Sequence, residues 1–158
     1  MKKSQLVLLT LVPIVVGWLI NAAIIIPVIG SLMFYVLPYA VLVFWFWLGK
    51  QYAKCDWNFL ISIVVSSATG IISLVLYIWQ FLFETDETRS LFIAGLSQMY
   101  CASTPSHLFG RLANLFESQP HYIGRASFLA LQVISVVLML VIFICGYIKG
   151  RKEYKKSV

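Results

Sequence analysis

Five residues whose side chains perform covalent, acid–base or metal chemistry fall within one stretch of the chain, 84–125. They are Cys101, His107, Arg111, Glu117 and His121. A thiol beside an imidazole could form a Cys-His nucleophile, and two imidazoles could contribute to a metal site. The spacing matches neither an HExxH motif nor a closed zinc pattern, and Pro120 interrupts the helical register just before His121. The sequence therefore predicts no metal and no cofactor. An interfacial enzyme using Cys101, His107 or His121 is the weakest hypothesis.

A second group of residues runs at helical spacing through an otherwise apolar stretch, 58–83. Its members are small or polar: Ser62, Ser66, Thr69, Gly70, Ser73, Tyr77 and Gln80. At about 100° per residue they lie within an arc of about 100°, so they share one face of a helix. Ser66 and Gly70 have the small-xxx-small spacing that allows two helices to pack closely. The alternative is a hydrated path for a polar solute. Packing is favoured, because Ser and Thr in helices often bond their own backbone.

Polar residues at matching positions occur in two other apolar stretches. Asn21 lies near the end of the first, and Gln132 and Ser135 lie on one face of the last. Polar side chains are costly against lipid, so all three are expected to face protein or water. Glu84 and Arg125 continue the polar faces outward. We expect these two to approach each other and close the outer mouth of the bundle.

The elements that must position these residues are membrane-spanning helices. The chain has 158 residues, 61% hydrophobic and 11% charged, with a mean hydropathy of +0.90, whereas a soluble domain has about 25% charged residues. Four apolar stretches without a charged residue are long enough to cross about 30 Å of hydrocarbon: 5–26, 32–48, 58–83 and 126–148. The prediction is an all-α, integral membrane four-helix bundle that forms a single domain, 1–158. Pro13 is expected to kink the first span, and Pro27 and Gly30 to turn the chain after it.

Basic residues set the predicted orientation. Lys2 and Lys3 precede the first span, Lys50 and Lys54 lie between the second and third, and five Lys and Arg residues lie in the tail, 149–158. Cytoplasmic flanks carry such an excess, so the prediction is a multi-pass protein of the cell membrane with both termini in the cytoplasm. The tail is expected to hold anionic lipid headgroups. The basic residues form no groove alternating with aromatic residues, so no nucleic acid partner is expected.

The outer loop, 84–125, is predicted to carry one or two short helices. Thr104 followed by proline is a good helix start, and apolar residues recur on one face through 105–119. This amphipathic helix either covers the top of the bundle, which is the favoured interpretation, or serves as a lid or partner-docking element. A second helix over 86–100, capped by Asp86, is also expected.

The residue types in the spans and in the outer loop favour a non-enzymatic function. No span contains His, Asp, Glu, Lys or Arg, which argues against catalysis within the bilayer, and no nucleotide-binding motif occurs. The leading hypothesis is an accessory, immunity or sensory subunit that acts through helix packing and its outer loop, bound to a protein partner or to further copies of itself. The alternative is an oligomeric small-solute transporter or channel that uses the polar face of the third span.

Overall fold

A computed structural model describes residues 2–55, 57–106 and 124–157, and every regular element in these ranges is helical. The α-helices are α1 Lys3–Leu9, α2 Val12–Ala23, α3 Ile29–Tyr52, α4 Phe59–Ile78, α5 Leu91–Ala102 and α6 Arg125–Ser157. A π-helical turn, Trp79–Phe83, extends α4. The all-helical fold class predicted from the sequence is confirmed.

Four helical segments are long and apolar enough to cross a membrane. They are Lys3–Ala23, Ile29–Tyr52, Phe59–Phe83 and Arg125–Lys156. Each overlaps one of the four predicted spans, although the second and fourth are longer than predicted. Four such helices are consistent with a multi-pass membrane protein.

The first span is broken rather than continuous, as Pro13 predicts. Helix α1 ends at Leu9 and α2 begins at Val12, because proline has no N–H to donate and its ring clashes with the carbonyl four residues earlier. The Thr10 hydroxyl donates to the Val7 carbonyl oxygen at 2.7 Å, which satisfies one of the carbonyls at the break.

The turn between α2 and α3 differs from the one expected at Gly30. Val28 has a positive φ of 68° with ψ of −58°, and the Ile29 N–H donates to the Pro27 carbonyl oxygen at 2.7 Å, which is the geometry of a γ-turn. A positive φ is uncommon for a β-branched residue. Gly30 already lies inside α3, where a Cβ would overlap the Ala23 carbonyl oxygen. The glycine therefore allows the two helices to approach closely, and the valine makes the turn.

Helices α3 and α6 form the aromatic core at one end of the bundle. Trp45, Tyr52 and Phe143 are buried, and the ring centroids of Tyr52 and Phe143 lie 5.3 Å apart. At this end the Lys50 ammonium lies 2.7 Å from a carboxylate oxygen of Glu153. The predicted tail is thus part of α6, because its Lys, Arg and Glu residues favour helix and one of them pairs with α3.

Helix α5 packs against α2, α4 and α6, and one face of it, with Ala94, Ser97 and Tyr100, is buried. It begins beside Gln80, whose side-chain oxygen accepts the Ser90 backbone N–H at 2.9 Å. It ends beside Gly70, where the Tyr100 ring lies. Gly70 is about 20 Å from the Phe83 end of α4 and about 16 Å from the Phe59 end, at 1.5 Å per residue. Helix α5 therefore runs antiparallel to α4 and ends near the middle of the bundle.

The loop predictions are changed by this arrangement. The helix expected over 86–100 starts five residues later, at Leu91, and its N-cap is Ser90, whose hydroxyl accepts the Ile93 N–H at 3.5 Å, rather than Asp86. Of the amphipathic helix expected over 105–119, all but the first two residues lie outside the described residues.

Candidate functional site

The buried end of α5 gathers an unusual number of small hydroxyl side chains. Ser97, Ser103, Thr104 and Ser106 are each at most 3% exposed. The last carbonyls of a helix have no partner within the helix, and away from water such groups need hydrogen bonds. The Ser103 hydroxyl donates to the Tyr100 carbonyl oxygen at 2.7 Å, and the Thr104 hydroxyl lies 2.8 Å from the Cys101 carbonyl oxygen. These side chains allow α5 to end inside the protein.

The polar face predicted on the third span is the surface of α4 that packs against α5 and, at Thr69, contacts the break between α1 and α2. All seven of its predicted residues are buried. The Ser73 hydroxyl donates to the Ser97 carbonyl oxygen at 2.6 Å, and the Thr69 hydroxyl donates to the Thr10 carbonyl oxygen at 3.1 Å. Hydrogen bonds between helices in membrane proteins contribute about 0.6 kcal/mol on average. This part of the face therefore joins helices.

The remaining residues of that face are also engaged within the protein. The hydroxyls of Ser62 and Ser66 donate to carbonyl oxygens of their own helix region, at 3.1 and 3.0 Å. The Tyr77 ring stacks on Phe81 with centroids 4.6 Å apart. The backbone carbonyl oxygen of Gln80 accepts a hydrogen bond from Arg89 Nε at 2.8 Å, and its side-chain oxygen accepts the Ser90 backbone N–H. Each predicted residue of the α4 face has a packing or bonding role.

Helix α6 contributes Gln132 and Ser135 to the same region, as their positions predict. The Gln132 side-chain nitrogen donates to the Ser97 carbonyl oxygen at 3.2 Å, which is the oxygen that Ser73 also reaches. The Ser135 hydroxyl lies 2.9 Å from the Thr104 hydroxyl and 3.2 Å from the Cys101 sulfur. The other polar atom of the Gln132 side chain, its carbonyl oxygen, is buried and has no hydrogen-bond partner among the described residues.

A cavity of about 260 Å³ lies on the side of α5 that faces away from α4. Its described walls come from α2, α3, α5, the residues after α5, and α6. They are Asn21, Phe34, Gln98, Cys101, Ala102, Thr104, Ser106, Phe128, Leu131 and Gln132. Asn21 is exposed, whereas Gln132 is 3% exposed. Three residues singled out in the sequence, Asn21, Cys101 and Gln132, therefore meet at one cavity.

Glu84 and Arg125 are engaged separately rather than with each other. The Glu84 carboxylate accepts from the Trp79 indole N–H at 3.0 Å and from the Thr88 hydroxyl at 2.6 Å. Arg125 Nη2 lies 4.0 Å from the Asp86 carboxylate. A π-helical turn adds a residue to the helical turn, so Glu84 leaves the face that it would continue in a regular α-helix. This end of the bundle is joined through Asp86 instead of Glu84.

The residues considered for catalysis at the outer surface are not assembled into a site within the described ranges. His107, Arg111, Glu117 and His121 lie outside those ranges. Cys101 lies in the bundle, where its sulfur contacts the hydroxyls of Ser106 and Ser135. No group of three or more His, Cys, Asp and Glu residues that could hold a metal ion occurs among the residues described.

Sequence reasoning singled out Cys101 near the end of α5 and named Thr104 only as a helix start, and it did not identify the other polar residues there. Ser97, Gln98, Thr104 and Ser106 have polar contacts or line the cavity. Serine and threonine are frequent, so their types give no signal. A detectable signal was the Ser90 cap followed by a stretch of 12 mostly apolar or small residues, which is too short to span a membrane.

Comparisons with known proteins give no relative to argue from: no family model matches the sequence, and neither curated proteins nor solved structures match it.

Proposed function

We propose that the chain is a non-enzymatic accessory, immunity or sensory subunit of the cell membrane, which acts through helix packing and its outer loop. The observation that carries the proposal is the position of α5. It covers the part of the polar face of α4 between Gly70 and Gln80, and Ser73, Ser97 and Gln132 are joined there by hydrogen bonds. Polar groups that would line a solute path or a reactive centre are used to hold helices together. The outward faces of the spans can contact lipid and other helices.

The orientation in this proposal follows the basic residues. The Lys3 ammonium lies 6.0 Å from the Trp57 ring centroid, and Lys50 pairs with Glu153, so the basic flanks share one end of the bundle. By the positive-inside rule this end is cytoplasmic. A groove of about 430 Å³ between α4 and α6 is lined partly by Arg151 and Lys155. These two side chains suit the phosphate of an anionic lipid headgroup.

The surface we assign to a protein partner or a second copy is the outward face of α3. Leu32, Val36, Tyr39 and Val43 recur there at helical spacing and are exposed. Tyr39 lies about 15 Å along α3 from Ile29, near the middle of a bilayer of about 30 Å hydrocarbon thickness. A phenol hydroxyl there is costly against lipid and favourable against a hydrogen-bond acceptor of another helix.

Photo-crosslinking tests this partner surface. A benzophenone amino acid in place of Tyr39 is expected to crosslink to protein in native membranes, giving a band of twice the chain's mass for a second copy or another mass for a different subunit. The matched control is the same amino acid at Val64, an exposed apolar position of α4. Gel mobility and mass spectrometry identify the products. Absence of a protein crosslink at Tyr39, or equal crosslinking at Val64, contradicts the proposal.

The second candidate function is an oligomeric small-solute transporter or channel, favoured by the presence of a polar-lined cavity beside α5. A solute path along α4 would need water at Ser73. Ser73 is only 4% exposed, so such a path would require the helices to separate there.

Cysteine labelling separates the two functions. In a chain without native cysteines, we expect Thr88→Cys to react with an impermeant thiol reagent added outside cells, because Thr88 is exposed in the proposed outer loop. Ser73→Cys should remain unlabelled, because its side chain is packed against Ser97. Labelling of both variants favours the transporter or channel, and labelling of Thr88→Cys only from the cytoplasmic side reverses the proposed orientation.

A further inference from the structure

We propose that the cavity beside α5 is a binding site for a small neutral amphiphile, one with an apolar body and a single O–H or N–H donor. The observation behind it is the unpartnered carbonyl oxygen of Gln132. The Gln132 side chain is almost completely buried, and its nitrogen is fixed by the Ser97 carbonyl oxygen. The free oxygen belongs to a residue that lines the cavity, but the atom itself is buried, so a ligand would reach it only after a shift of the side chains around it. A buried acceptor without a donor favours any ligand that supplies one.

The size of the cavity favours a ligand over a single water. Its volume is about 260 Å³, whereas a water molecule occupies about 30 Å³ of liquid. A single water would leave most of the cavity empty. The cavity volume corresponds to about nine water molecules of liquid, so it can hold a small organic molecule.

The walls define the chemical class of the ligand. Phe34, Phe128 and Leu131 supply apolar surface, while Gln98 and Thr104 supply amide and hydroxyl groups. None of the described wall residues is charged, so an ionised ligand would lose its hydration without a counter-charge. A neutral molecule with an aromatic or aliphatic body and one donor matches these walls, as ligand sites commonly combine apolar surface with a few polar groups.

The position of the cavity gives a route for such a ligand. Gln132 lies about 10 Å along α6 from Arg125, in the half of the bundle that carries the outer loop in our proposed orientation. Asn21 is exposed at the edge of the cavity. The proposed ligand site is independent of the partner surface that we assign to α3. If the chain is a sensory subunit, the bound ligand would provide its signal.

Cys101 provides a reporter in the wall of the cavity. The chain has three cysteines, so Cys55→Ser with Cys145→Ser leaves Cys101 as the single thiol. The full chain is placed in lipid nanodiscs, and the rate of Cys101 alkylation by N-ethylmaleimide is measured with phenol, with toluene and with benzoate. Phenol carries the donor, toluene has the same ring without it, and benzoate is charged. Phenol and toluene are compared at equal concentrations in the lipid.

We expect phenol to slow alkylation saturably, by about threefold at twice its Kd, because two thirds of the sites are then occupied. Toluene should slow it less, and benzoate should have no effect. Gln132→Met keeps the size of the side chain and removes the acceptor, so phenol should protect no better than toluene in that variant. Ser66→Ala, a change on α4 away from the cavity, should leave the preference for phenol intact.

Three outcomes overturn the proposal. No protection by phenol means that the cavity holds water only. Equal protection by phenol and toluene in the parent means non-specific partitioning, and this contrast decides the matter even where Gln132→Met fails to fold. A phenol preference that survives Gln132→Met in a folded protein excludes the Gln132 oxygen as the acceptor. Where Cys101 does not react in the absence of a probe, thermal unfolding replaces alkylation, with stabilisation by phenol above toluene as the expected result.

Discussion

Replacing Gly17 with alanine is expected to destabilise the folded chain by about 1 to 3 kcal/mol, the usual cost of an added methyl in a packed core. A Cβ at Gly17 would overlap the Met99 carbonyl oxygen of α5. Both groups are main chain or directly attached to it, so no side chain can rotate to make room. The methyl group must separate α2 from α5 and so weaken the contact that holds α5 in the bundle.

The matched control for this substitution is Gly95→Ala within α5. No atom of the described residues lies within 4 Å of a Cβ at Gly95, and alanine is favoured over glycine inside a helix by about 0.5 to 1 kcal/mol. The control should therefore be neutral or stabilising. Unfolding in mixed micelles with increasing dodecyl sulfate, followed by tryptophan fluorescence, measures both variants. If Gly17→Ala is as stable as Gly95→Ala, α5 does not pack against α2 in this way.

The spans were predictable because each one depends only on the residues within its own stretch of the sequence. Apolar stretches without charges identify membrane-length helices by composition alone, and the buried face of α4 follows from the spacing of Ser62, Ser66 and Ser73. The break before Pro13 is equally local, since it arises from the covalent geometry of proline. These features need no knowledge of which helices are neighbours.

The depth of α5 could not be predicted in the same way. It depends on pairings between distant parts of the chain, Gly17 with Met99 and Gly70 with Tyr100. Periodicity identifies the face of a helix and does not identify its partner. The sequence therefore predicted a packing surface on α4 and placed the short helix that packs there outside the bundle.

Two further differences have local causes that composition does not reveal. The π-helical turn Trp79–Phe83 shifts Glu84 away from its expected face, and no residue type marks such a turn. The unpartnered Gln132 oxygen is visible only when its neighbours on α5 are known. Predicting Gln132 as a residue that faces the bundle was within reach of the sequence, while the cavity beside it was not.

Replacing Tyr100 with alanine is expected to destabilise the chain by about 3 kcal/mol, at the low end of the 3 to 5 kcal/mol typical for aromatic residues in soluble cores. The Tyr100 side chain is 1% exposed. We choose the lower value because the hydrophobic transfer term is smaller when the surroundings are lipid, while the lost packing contacts remain. Phe92→Ala is the control on the same helix. Phe92 is 79% exposed, so its loss should change stability by at most about 0.5 kcal/mol.

A double-mutant cycle with Gly70 shows whether the ring occupies the position described. A Cβ at Gly70 would lie 2.7 Å from Tyr100 Cζ, so Gly70→Ala alone should destabilise the protein by displacing the ring. In the Tyr100→Ala background the same methyl enters the space that the ring has left, and its cost should disappear or become a gain. The coupling free energy between the two substitutions, measured by the same unfolding titration, should be about 1 kcal/mol or more in favour of the double variant. Additive effects would mean that Tyr100 does not pack on Gly70 and that α5 does not reach the middle of the bundle.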